Sequence, residues 1–167
     1  MRPGAIRIDG SLMHAKLGLA QVMDGDDALI NDLLALLAER GTDFTIFFRA
    51  LGSFDTVPGA DNSGVRDLMV NRTAFDNWAA RYAVRLAAES SDDTARCASM
   101  NSVNPKYVLR NHLAQIAIDK ATRQKDFSEI DRLLALLQHP FDEQPANEAY
   151  AAPPPDWAKS IEVSCSS

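Results

Sequence analysis

Apolar residues that recur every three or four positions in five separate stretches of this 167-residue chain leave little room for any architecture but packed helices. In DDALINDLLALLAERG, Leu29, Ile30, Leu33, Leu34 and Leu37 fall on one face; aspartates open the segment as N-caps and Gly41 stops it. TDFTIFFRAL places Phe44, Phe47, Phe48 and Leu51 together, with Thr42 as cap; its β-branched and aromatic content also suits a short strand, and helix is favoured. TAFDNWAARYAVRLAAES carries the stripe Phe75, Trp78, Ala79, Tyr82 and Leu86, with Arg85 and Glu89 spaced for an i,i+4 pair on the opposite side. In SVNPKYVLRNHLAQIAIDKA, Asn104 suits a cap and Pro105 a first helical position, which predicts a helix over 105–121. DFSEIDRLLALLQHP has capping-box spacing at Asp126 and Glu129, turns Ile130, Leu133, Leu134 and Leu137 inward, and ends at Pro140.

Between these stretches, GSFDTVPGADNSG over 52–64 reads as a surface loop. Pro145 and Pro153 to Pro155 leave room for one helical turn before an extended tail, which Trp157 in PPPDWAK would anchor by packing. The expected organisation is an N-terminal segment 1–12, a helical domain 13–140 and a proline-rich acidic tail 141–167. An apolar content of 46% is enough for a core. No apolar run approaches the ~20 residues of a bilayer span, and the first ten residues lack a secretory core, so the expected location is cytoplasmic and no membrane partner is expected. Net charge is −6, with two basic and eight acidic side chains over 126–167 and no basic run anywhere. Such a chain lacks the phosphate-neutralising surface of a nucleic-acid binder.

Motifs for chemistry are sparse. MDGDDAL has the acidity of a calcium loop but not its ligand order: the glycine comes second and the twelfth position is Ala35. The Walker and dinucleotide glycine patterns are absent, as is GxSxG. His14, His112 and His139 show no ligand spacing, and Cys97 and Cys165 form no metal knuckle. A Cys–His pair could be drawn from Cys97 or Cys165 with His112 or His139, but nothing in the flanks depresses a thiol pKa, and Cys97 reads as a small helical core residue. Arg110 and Asn111 border an apolar stripe, where a hydrogen-bonded clamp on loop carbonyls is favoured over a ligand contact. No catalytic, cofactor-binding or metal residue is assigned.

MHAKLGL, DFTIFFRAL, MNSVNPKYVLRNHLAQ, HPFDEQP, PPPDW and the terminal SCSS are long and ordered. From about Met13 to Ser167 they resemble the C-terminal third of the selenoprotein O (SelO) family. The resemblance implies a kinase-like α+β protein that binds ATP with magnesium and transfers AMP to Ser, Thr or Tyr hydroxyls of proteins. In that family the phosphate-positioning and metal-binding residues lie upstream of the matched region, so ATP and magnesium are expected of the full-length protein and not of this chain. The terminal SCSS resembles the site where some relatives carry selenocysteine, which implies a redox role for Cys165 through a disulfide with the kinase-like portion.

The expected function is therefore that of an all-α C-terminal part of a protein adenylyltransferase, a fragment inactive alone, whose partner is the missing kinase-like portion. Two alternatives stand beside it, a non-enzymatic helical interaction module that binds another protein and a thiol redox module working through Cys165. A severed domain exposes surface it once buried, so self-association through an apolar face is also expected.

Overall fold

The computed structural model describes residues 10–39 and 41–160, and every regular element among them is helical. No helix among the described residues is long and apolar enough to cross a membrane. The chain divides into two compact units, Met1–Asn104 and Pro105–Ser167, a boundary that falls inside the stretch 13–140 expected as one domain.

The first unit holds α1 (Gly10–Lys16), α2 (Asp26–Ala38), α3 (Phe44–Leu51), the single turn α4 (Ser63–Arg66), α5 (Arg72–Ala88) and α6 (Asp93–Val103). Their starts are written in short polar side chains that accept an orphan N–H of the first turn. Asp43 accepts from Ile46, Asn71 from Ala74 and Asp92 from Ala95. The cap of α3 is thus Asp43, one residue after the expected Thr42, whose hydroxyl donates instead to the Leu68 carbonyl. α2 also departs from expectation: its N-cap is Gly25 at φ +93°, not an aspartate, because Asp26 is drawn inward to other partners.

α2 packs on α5 and α1 on α6 around a core of aliphatic side chains and six aromatic rings. Trp78 stacks on Tyr82 at 4.9 Å and touches Phe75, while Phe54, from the loop after α3, leans on Tyr82. Both polar tips in this stack are satisfied, as burial requires. Trp78 Nε1 donates to the Leu29 carbonyl at 2.9 Å and the Tyr82 hydroxyl to the Leu17 carbonyl at 2.6 Å. Gly18 follows at φ +66°, and a Cβ there would stand 2.5 Å from Arg96 Cγ, so only glycine lets α1 close on α6.

The second unit contains α7 (Asn111–Asp119), one wide turn of π type (Lys120–Gln124), α8 (Ser128–Gln138) and 3₁₀ turns at Pro145–Tyr150 and Asp156–Ser160. Tyr107, Leu113, Ala117, Leu133 and Leu136 form its core. The helix expected from Pro105 begins only at Asn111. Asn104 is unavailable as its cap, because its buried side chain is exchanged with Lys16, accepting from Nζ at 3.1 Å and donating to the carbonyl at 2.9 Å. The N–H groups of Lys106 and Tyr107 both donate to the Pro140 carbonyl, which holds the segment out of helix while the Tyr107 ring fills the core. Nor does the capping box at α8 form: Asp126 accepts from Ser128, and Glu129 turns inward to Lys120 and Tyr150. Ile130 and Leu134, expected inside, stand exposed, and Leu136 takes their place.

Candidate functional site

Ionisable side chains converge most densely inside the first unit, where α1, the start of α2 and the end of α5 meet. Arg85 is on the apolar stripe of α5, one turn beyond Tyr82, and is buried there. Its Nε donates to Asp26 Oδ1 at 2.6 Å, Nη2 to Asp26 Oδ2 at 3.1 Å and to the Gln21 carbonyl at 2.6 Å, and Nη1 to Glu89 Oε2 at 3.0 Å. Glu89 in turn accepts from the Ala20 and Gln21 N–H groups, each at 3.2 Å. His14 Nε2 lies 3.0 Å from Asp26 Oδ2, which also accepts from the Met23 N–H at 2.8 Å.

This arrangement positions the chain and offers little to a reactant. Hydrogen bonds from Arg85, assisted by Met23 and His14 and opposed by burial, bring the Asp26 carboxyl from the ordinary 3.8 down to about 2. Asp26 in turn raises the Arg85 guanidinium above its usual value. Arg85, Met23 and His14 bring four hydrogen bonds to Asp26, one on Oδ1 and three on Oδ2, so both oxygens are engaged by the protein's own groups. What the knot does is tie residues 20–25, which have no regular structure, and the first residue of α2 to the end of α5.

The second unit has a smaller counterpart. Glu129 is buried and accepts from Lys120 Nζ at 2.8 Å and the Tyr150 hydroxyl at 2.6 Å, partners that hold its carboxyl below the ordinary range. Arg132 donates to the same Tyr150 hydroxyl. His112 is buried in the first turn of α7, edge-on to Trp157 at 6.2 Å, and burial together with the Arg110 charge pushes its imidazole below the usual pKa.

The residues singled out in the sequence are scattered across this framework. Cys165 lies outside the described residues. Cys97, expected in a core, is half-buried on α6 with the Asn101 amide 3.5 Å from its sulfur. Cys97 belongs to the first unit, while His112 and His139 belong to the second, His139 exposed and 3.6 Å from Asp142. Arg110 stands at the N-cap position of α7 and Asn111 opens that helix on the surface. Among the described residues no three His, Cys, Asp or Glu side chains are grouped so as to hold a metal ion.

A family model described as protein adenylyltransferase SelO matches residues 9–138, well over half of the chain. The chain belongs to the SelO family. Among its relatives are the protein nucleotidyltransferases YdiU of Burkholderia multivorans, 56% identical over 155 residues, and of Herminiimonas arsenicoxydans, 56% identical over 156. A third, from Cupriavidus pinatubonensis, is 56% identical over 157 residues. The alignments cover 92 to 93% of this chain but only about 30% of each relative, so the SelO chain described here spans under a third of their length. The family model covers α1 through α8, and with them the Asp26–Arg85–Glu89 knot and the Lys120–Glu129 pair, while Tyr150 lies beyond it.

Asp26 and Arg85 were not foreseen as partners, because Asp26 looked like one of several N-terminal aspartates and Arg85 like half of a surface pair. The Arg85–Glu89 pair does form, but on the buried side of α5. One signal pointed that way: Trp78, Tyr82 and Arg85 are spaced i, i+4, i+7, which puts the arginine in line with the stripe and not across from it.

Proposed function

We propose that this chain serves as the helical C-terminal part of a SelO-type protein adenylyltransferase, bracing the kinase-like portion and carrying the redox-sensitive Cys165, and that it transfers no AMP by itself. The observation that carries this reading is the commitment of the buried carboxylates Asp26 and Glu129 to cations and hydroxyls of the chain's own fold. Family membership and the 30% share of the relatives' length support it. In the whole protein, ATP and magnesium would supply the activated phosphoryl group and its charge neutralisation. The described residues do not fit that pair, since Asp26 and Glu129 have their oxygens engaged and no acidic cluster is suitably grouped.

The test is AMP incorporation into protein substrates with labelled ATP and magnesium, using the purified 167-residue chain and a chimera in which it replaces the matched residues of the Burkholderia multivorans relative. Transfer by the chimera and none by the chain alone is expected. Transfer by the chain alone refutes the reading. For Cys165, substitution by serine in the chimera should abolish any oxidant-induced mobility shift on non-reducing gels, and an unchanged shift removes it from that role.

A further inference from the structure

The second unit buries five apolar side chains in its core against eighteen in the first. It nonetheless carries seven of the thirteen large apolar side chains that stand exposed among the described residues. Exposed apolar residues in the first unit are mostly single valines far apart in sequence, which is ordinary for a protein surface. In the second unit, Phe127 at the N-cap of α8 and Ile130 and Leu134 within it follow one another, exposed by 56%, 43% and 60%.

Successive α-helical residues turn by about 100°, which places these three within roughly 60° of one another, next to Leu137 and the buried Leu133. From Leu136 to the N-cap Phe127, α8 therefore presents an arc about 180° wide that is apolar except for the buried Glu129 beside Leu136, while a helix lying on one core needs little more than about 100°. Core contacts cover only about half of it. The remaining circumference holds Ser128, Asp131, Arg132, Ala135 and Gln138, all exposed, and that is the solvent face. Phe127, Ile130 and Leu134 belong to neither the core face nor the solvent face.

We propose that this arc of α8 is the docking face for the part of a SelO-family protein that has no counterpart in this chain. The proposal rests on the reading under Proposed function and adds the surface to it. About seven-tenths of each relative's length lies outside the match, so the family supplies ample chain to cover three side chains. A second copy of this chain is the weaker occupant on area. A stable dimer buries about 800 Å² per partner, more than three part-exposed side chains provide, even at the ~150–250 Å² of a fully buried aromatic. A contact within one covalent chain needs far less, because the tether supplies the effective concentration.

The experiment uses Ile130→Glu with Leu134→Glu, in the isolated 167-residue chain and in the chimera described above, with Val84→Glu in the first unit as control. Both sites are exposed in the chain, so its melting temperature should move by less than about 2 °C, while that of the chimera should fall by more than about 5 °C. The control should move neither. A chimera unaffected by the double substitution overturns the docking face and leaves the proposed function standing. An equal fall in the isolated chain overturns it as well, by making the two residues part of their own unit's stability. Light scattering that shows a dimer of the chain, dissociated by the double substitution, assigns the face to a second copy and refutes the proposal. A chimera that does not fold with the native face intact refutes the proposed function itself, and the docking face with it.

Discussion

Replacing Asp26 by Asn removes the one charge that Arg85 holds with two hydrogen bonds, while keeping the shape of the side chain. The magnitude follows from the carboxyl's displacement from 3.8 to about 2, with Arg85 as its main cause. At ~1.4 kcal/mol per pKa unit this makes the ionised form worth about 2 kcal/mol to the folded state. The folded value is the lower one, so that stabilisation is fully present above the unfolded value of 3.8 and is lost as pH falls through 2. Asp26→Asn should therefore cost about 2 kcal/mol near neutral pH, or roughly 8–16 °C in the melting temperature of a unit of this size. The difference between wild type and variant should shrink steadily between pH 4 and pH 2. Trp78 lies in the core of the first unit and Trp157 in the second, so a Trp157→Phe background lets urea unfolding followed by fluorescence report on the first unit alone. A variant within about 0.5 kcal/mol of wild type at pH 7, or a gap constant down to pH 2, would refute the reasoning, because it would mean that burial of Asp26 cancels what Arg85 provides.

Gly18→Ala should lower the stability of the first unit by about 2–3 kcal/mol in the same unfolding assay, from a positive φ and a Cβ set against Arg96 and Met100; Gly59→Ala, also at positive φ but with open space around it, should cost only about 1 kcal/mol. Glu129→Gln should weaken the second unit by about 1–2 kcal/mol by leaving Lys120 without its carboxylate, seen as faster amide exchange in α8 with none in α2. Leu133→Ala, in a core of five side chains, should cost about 2–4 kcal/mol and unfold the second unit first, measured by Trp157 fluorescence in a Trp78→Phe background.

Most of the helical framework could be read from spacing, because a stripe such as Phe75, Trp78, Tyr82 and Leu86 has one low-energy solution, a helix with that face buried. What could not be read depends on partners distant in sequence. Asn104 has every local mark of a cap, and only Lys16, 88 residues away, diverts it. Pro105 suits a first helical turn, yet the Pro140 carbonyl draws the next two N–H groups elsewhere. Asp26 and Arg85, 59 residues apart, each have an adequate local explanation, as N-terminal acid and as i,i+4 partner, and local explanations conceal the pairing. The leucines of α8 show the complementary limit, since periodicity identifies an apolar arc but not how much of it a neighbour covers.

The two units differ in what holds them. In the first unit, eighteen buried apolar side chains surround an aromatic stack whose polar tips are satisfied, and the Asp26–Arg85–Glu89 knot ties the segment before α2 to the end of α5. Every buried charge in that knot has its complement inside the unit, so docking to another body would neither relieve nor require it. The second unit has five buried side chains in a stretch of about sixty residues, a size at which a single core is marginal. Its polar contacts add tethers to that core: Lys106 holds Glu143 and Glu148, and Glu129 of α8 holds Tyr150, whose ring packs on the core's edge. Covering apolar surface that the second unit already presents would add to its stability, and three of those side chains, Phe127, Ile130 and Leu134, stand together at α8.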